Sequence, residues 1–154
     1  MRWIVAAVLL FSLGACTSST VTQYHAFRLK PGQDLYGSID SVVKAQKIKA
    51  GWVVTCAGSL TAYNIRFANM PEGAKGTGHF EIVSLAGTLS TEGAHLHLSV
   101  SDSTGKTIGG HLLDGCKIYT TAEVVIAASD AFIFSREEDG TTPWKELQIK
   151  KGKR

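Results

Sequence analysis

His95, His97 and His111 are three of the five histidines in a chain of 154 residues, and imidazole is the commonest side chain for holding a transition-metal ion. Leu96, Leu98 and Val100 alternate with His95, His97, Ser99 and Ser101, which predicts a strand buried on one side only. Asp102 is followed by Ser103-Thr104-Gly105, a three-residue loop with glycine at the left-handed position of a bulged hairpin turn. The return strand covers residues 106–112. Counting outward from the loop sets His97 opposite His111, with His95 on the diagonal. Opposed residues have Cβ atoms about 4.5–5.5 Å apart. Three imidazoles therefore converge on the polar face, while Leu96, Leu98, Val100, Ile108 and Leu112 face the other way. A slip of one residue would carry His111 to the opposite face and dissolve the cluster.

Three neutral imidazoles suit zinc or another borderline divalent ion and leave a position for water, a carboxylate or a small-molecule ligand. Histidine ligation does not separate zinc from iron, nickel or copper; zinc is the leading expectation. A lone strand histidine is ordinarily a half-buried polar residue with a hydrogen bond, the reading for His25 and His79. Glu81 and Glu123 are the acidic residues placed on strands in the interior half of the fold. Either could accept the second N–H of a ligating imidazole or supply a ligand from a neighbouring subunit, although a strand-face salt bridge or a solvated side chain is the plainer reading. Ser99 and Ser101 share the histidine face, but no strand-to-helix elbow accompanies them, so acyl transfer fits poorly. Gly76-Thr77-Gly78 and Gly109-Gly110 open no helix and make no phosphate cradle.

Several elements must position this hairpin. Strands are expected over residues 24–29, 52–60, 63–67, 80–85, 87–89, 118–127, 130–135 and 144–149, the pair 52–60 and 63–67 joined by a tight turn and residues 68–78 forming a loop. Asp34 is a plausible N-cap for a helix in which Leu35, Ile39, Val42 and Val43 recur at helical spacing to about Lys47, with Gly51 as the stop. One helix among many short strands indicates an α+β fold on a mainly antiparallel, strongly bent sheet. Cys56 and Cys116 lie in apolar strand-like settings; buried free thiols are expected, since spacing alone does not bring them within bonding distance.

The N-terminus carries a different signal. Met1-Arg2 precedes an apolar run over 3–13, too short to span a bilayer and suited to a signal-peptide core. It closes on Leu13-Gly14-Ala15-Cys16, which resembles a bacterial lipoprotein box. The expected organisation is a signal over 1–15, a polar tether over 16–22 with Cys16 lipidated, a domain over 23–149 and a basic tail over 150–154. Thr17 after the cysteine resembles lipoproteins sent to the outer membrane, here facing the periplasm. The formal charge of +3 belongs to the ends: without Arg2, Lys150, Lys151, Lys153 and Arg154, 11 of the 16 Lys and Arg remain against 13 Asp and Glu, a net of −2. A body of that sign opposes a duplex-binding face.

Phe80-Glu81-Ile82-Val83-Ser84-Leu85-Ala86-Gly87-Thr88-Leu89, His95-Leu96-His97 and Gly109-Gly110-His111 together resemble the plant-and-prokaryote-conserved (PPC) domain, the module that follows AT-hooks in plant proteins and stands alone in bacteria. The resemblance covers about residues 24–149. It implies a three-histidine metal-binding unit at His95, His97 and His111, and assembly as a homotrimer. The family's DNA-binding label comes largely from the AT-hook, and no Arg-Gly-Arg-Pro-like run surrounds Pro31, Pro71 or Pro143. The leading expectation is thus a lipid-tethered, trimeric metal-binding protein. A metal-dependent enzyme using the open coordination position is the first alternative, and a DNA-binding protein the second.

Overall fold

A computed structural model describes residues 20–152. The expected signal, Cys16, most of the tether and the last two basic residues lie outside these residues. The elements in chain order are β1 (Thr22–Leu29), α1 (Leu35–Ala45), β2 (Gly51–Arg66), β3 (Ala74–Ser90), β4 (Gly93–Ser101), β5 (Thr107–Leu112), β6 (Lys117–Ser129), β7 (Phe132–Glu138) and β8 (Lys145–Lys151). Six strands pair in the order β1-β6-β2-β3-β4-β5, and β7 and β8 form a separate two-stranded sheet. Every pairing between the strands is antiparallel. The α+β architecture with one helix on a bent antiparallel sheet is therefore the one observed.

The bend comes from the length of β2. Its first part lies between β6 and β3, whereas its last residues reach β5, where Ile65 faces Leu112 and Arg66 faces His111. Strands β2 to β5 thus close on one another. Glycine permits the closure: a Cβ at Gly110 would stand 2.5 Å from the Arg66 carbonyl oxygen, closer than packed atoms tolerate. The tight turn expected near residues 61–62 is instead a bulge within β2. Pairing to both neighbours shifts between Leu60 and Ala62, which bends the strand without ending it. Likewise β3 begins at Ala74 and runs unbroken through Gly87, so part of the expected loop over 68–78 is strand. The basic tail is corrected too. Lys150 and Lys151 belong to β8, opposite Ile133 and Phe132, and Lys150 Nζ lies 3.0 Å from Glu137 Oε1.

Helix α1 starts as its sequence predicts. The Asp34 carboxylate accepts from the Gly37 N–H at 3.0 Å and, with its other oxygen, from the Gly115 N–H at 2.8 Å, tying the helix start to the entry of β6. It ends at Ala45, two residues before Lys47 and without help from Gly51. Lys47 takes φ 53°, and the Lys47 and Ile48 N–H groups donate to the Lys44 and Val43 carbonyls at 3.1 and 3.0 Å. This is the paired C-cap that glycine usually provides, held here by burial of Ile48 beside Val43.

Leu35, Ile39 and Val43 of α1 join Leu60, Leu89, Leu96, Leu98, Ile118 and Ile126 in the core. Each such side chain contributes about 1.5–3 kcal/mol by leaving water. Cys56 and Cys116 are free thiols, as expected, but only Cys116 is fully buried and Cys56 is half-buried; burial pushes both thiols up to about 11.

Candidate metal centre

The site is built on the β4–β5 hairpin, and its turn fixes the register. Gly105 adopts φ 83°. The Asp102 carboxylate accepts from the Thr104 N–H, the Thr104 hydroxyl and the Lys106 N–H at 2.8, 2.6 and 3.1 Å. Ser101 then faces Thr107, and His97 faces His111, the pairing counted from the sequence. Leu96, Leu98, Val100 and Leu112 are buried beneath, so burial of one face commits the imidazoles to the other.

Strand β3 holds the other edge. His95 faces Thr88 and His97 faces Ala86. Gly87, at φ 147°, sits between them against the backbone of β4, where a Cβ would overlap the His95 carbonyl oxygen. Only glycine allows that approach.

The Nε2 atoms of His95 and His97 lie 3.2 Å apart, and one ligating nitrogen from each of the three histidines falls within 4.8 Å of the others. Ring centroids are separated by 4.9, 5.0 and 5.8 Å. Zinc–nitrogen bonds of about 2.0–2.1 Å in a tetrahedron set nitrogens about 3.3 Å apart, so the His95–His97 pair already has the right span. Burial, with the neighbouring His95 and Arg66, brings His111 down to about 4. His95 is also lowered, first by burial and then by Arg136 and His97. Both are neutral at pH 7, the form that ligates. The donor set fits a borderline divalent ion.

Four residues missed in the sequence complete the surroundings. Arg66 lies in the same transverse row as His111 and His97, its guanidinium carbon 5.6 Å from the centre of the Trp144 ring. Arg136 Nη2 donates to Thr88 Oγ1 at 2.8 Å, and its Nη1 lies 3.4 Å from His95 Nδ1. Glu146 is the carboxylate bordering both clefts beside the triad, of about 320 and 330 Å³. No local motif announces these residues: Arg136, Trp144 and Glu146 come from the separate β7–β8 hairpin, and Arg66 arrives through the closure of β2 onto β5.

Glu81 and Glu123 are not brought to the triad within this chain. Both are exposed. Glu81 pairs with Ser101, four residues from His97 and so about 13 Å along the strand. Glu123 pairs with Arg28 and Ala57 on the far side of the sheet order. The carboxylate that lines the clefts beside the imidazoles is instead Glu146, which accepts from the Thr142 hydroxyl. His25 is half-buried, but His79 is exposed and stacks on Tyr119 with centroids 4.3 Å apart. A larger hollow of about 440 Å³ lies elsewhere, between Gln23, Lys49, Asp130 and Phe132.

The sequence profile of the Plants and Prokaryotes Conserved (PCC) domain matches residues 6–130. The chain belongs to that family. The PCC match contains all three histidines and stops before β7. A curated relative, the bifunctional protein GlmU of Synechococcus sp. (strain JA-3-3Ab), is 43% identical over 127 residues, 82% of this chain. The chain spans only 20% of that protein's length. Among solved structures, a hypothetical protein from Salmonella cholerae-suis is 38% identical with a TM-score of 0.84, covering 86% of this chain and 96% of that one. A metal-containing protein from Archaeoglobus fulgidus shares the PCC fold at a TM-score of 0.70 and 22% identity, covering 82% of this chain and 93% of that one. A protein from Bacteroides thetaiotaomicron named for DNA binding shares it at 0.72 and 17%, covering 84% and 96%.

Proposed function

We propose that this chain is a metal-binding module that holds one divalent ion, zinc foremost, on His95, His97 and His111. The observation that carries the reading is the convergence of three imidazole nitrogens within 4.8 Å on one face of a register-locked hairpin. The metal-containing relative from Archaeoglobus supports it at the level of the fold. When bound, the ion supplies a Lewis-acid centre with a position open to ligand. The chain's own residues orient the imidazoles, through Gly87 and the Asp102 turn, and Arg66, Arg136 and Glu146 line the cleft beside them. The test is elemental analysis of untagged protein purified without added metal. Stoichiometric metal is expected, lost in His97→Ala or His111→Ala and kept in His25→Ala and His79→Ala. Metal retained by a His95/His97/His111 triple-alanine protein would refute the site.

The reading extends to a homotrimer tethered to the bacterial envelope, on the outer membrane facing the periplasm. Val54, Val83 and Tyr119 are large apolar side chains left exposed on strands β2, β3 and β6, surface that contact with a second copy would cover. Sedimentation equilibrium giving the mass of a single chain would refute the trimer. The tether rests on the run ending at Cys16; a Cys16→Ser protein with unchanged mass and membrane partition would refute it. The DNA-binding name of the Bacteroides relative finds no support in a body of net charge −2.

A further inference from the structure

We infer that the three-histidine centre takes a small molecule through an oxyanion, a carboxylate or a phosphate, whose charge is met by Arg66 and Arg136. The inference rests on the metal reading above and names the ligand class of the same site.

Two half-buried guanidiniums border the cleft that also contains His95 and His111. Neither has a carboxylate within ion-pair distance among the described residues, where the ion pairs are Lys44–Asp40, Lys117–Asp34 and Lys150–Glu137. Arginine presents five N–H donors in a planar fork that matches carboxylate and phosphate oxygens. A guanidinium held in place with donors to spare is pre-organised for such a group. Arg66 is held against the Trp144 ring, and Arg136 by its bond to Thr88.

The contact between Arg136 and His95 points the same way. A guanidinium can only donate, so His95 Nδ1 must offer its lone pair. The neutral ring then carries its proton on Nε2, the atom 3.2 Å from His97 Nε2. If His95 ligates through that Nε2, its remaining proton sits on Nδ1, which can no longer accept from Arg136. Were His95 to hold a metal in that way, Arg136 Nη1 would be left on the cleft wall without that acceptor. An oxyanion in the cleft is the acceptor that this donor would then lack.

Charge and shape agree. Arg66, Arg136 and Lys145 outweigh Glu146 around the cleft even before an ion adds its own charge. Its volume of about 320 Å³ is at the small end of the range for small-molecule sites. Exposed Trp144 gives one wall a flat apolar face for the body of the ligand.

The experiment uses the full chain loaded with cobalt(II), whose visible absorption reports the coordination sphere. It is titrated with succinate, with inorganic phosphate and, as a neutral control, with imidazole. Saturable spectral change with either oxyanion is expected, the stronger of the two identifying the carboxylate or the phosphate arm. Arg66→Gln and Arg136→Gln should each weaken it roughly tenfold or more, with cobalt stoichiometry and imidazole affinity unchanged. Arg136→Lys should recover part of the loss by restoring charge without the fork. Because Arg136 also ties β7 to β3, Arg66→Gln tests the point independently of any loosening of that hairpin. Stoichiometric cobalt with a spectrum indifferent to both oxyanions, or oxyanion affinity unchanged in both glutamine variants, overturns the inference and leaves the metal reading standing. A protein that takes up no cobalt overturns the metal reading, and the inference with it.

Discussion

Arg66 stands directly across the sheet from His111, the last residue of β2 with a partner on β5. His111 in turn faces His97, so a permanent cation and two imidazoles form one row across three strands. The row exists only because β2 is long enough to serve β6, β3 and β5 in succession. It also accounts for part of the acidic shift of His111, which Arg66 lowers after burial and His95 have done so.

Gly87→Ala should separate steric from conformational cost. The added methyl would run into the His95 carbonyl oxygen, whereas Gly93, also at positive φ, has nothing within 4 Å of its notional Cβ. Chemical denaturation is expected to show a loss of about 3 kcal/mol for Gly87→Ala and about 1 kcal/mol for Gly93→Ala. Metal affinity should fall with the first and hold with the second. Equal losses would mean that the close approach of β3 to β4 is not what seats His95.

Acid should weaken the metal-free fold over a defined window. His111 is held at about 4 in the folded chain against an ordinary 6.5, and His95 is lowered as well. Between those values the unfolded chain binds the proton and the folded chain does not, so stability falls as pH drops from about 6.5 towards 4. Thermal unfolding across that range should show a declining Tm in apoprotein, with a shallower slope in His111→Gln. A slope unchanged by that substitution would place the proton uptake elsewhere.

Leu96 and His97 are chain neighbours on opposite faces of β4. Leu96 is wholly buried and His97 exposed. Leu96→Ala should cost about 2–5 kcal/mol by opening a cavity. His97→Ala should stay within about 0.5 kcal/mol when metal is absent, while abolishing metal binding. Denaturant midpoints for both, measured with chelator present, would expose a wrong face assignment by reversing that order.

How far the sequence led differs from element to element, and the reason is range. The histidine hairpin was legible because everything that defines it is local: alternation from His95 to Val100 and a turn chemistry with aspartate and glycine at set positions. Helix α1 was legible at Asp34, where a side chain does the capping. Its end was not, since Lys47 takes a left-handed conformation that only the burial of Ile48 explains. Near Thr61 the sequence suggests a tight turn, yet Thr61, Ala62 and Tyr63 are none of the usual turn residues, and pairing to both neighbours makes the irregularity a bulge. Glu81 and Glu123 were chosen for lying on strands, but strand membership gives a face without giving neighbours. Arg66, Arg136 and Glu146 reach the site through pairings that no short window contains.

The separateness of the β7–β8 sheet has a dynamic consequence. Its described links to the main sheet include the Phe134 N–H bond to the Lys49 carbonyl at 2.9 Å and the Arg136 bond to Thr88, outside the long ladders that hold β2, β3 and β4 together. The three imidazoles and Arg66 thus stand on the main sheet, while Arg136 and Glu146 stand on the two-stranded one. That difference predicts that β7 and β8 open at lower free-energy cost than the ladder under the histidines, which hydrogen exchange would show as faster amide exchange in those two strands. On that expectation, whatever reaches the three imidazoles would enter and leave by movement of the β7–β8 hairpin rather than of the strands that carry them.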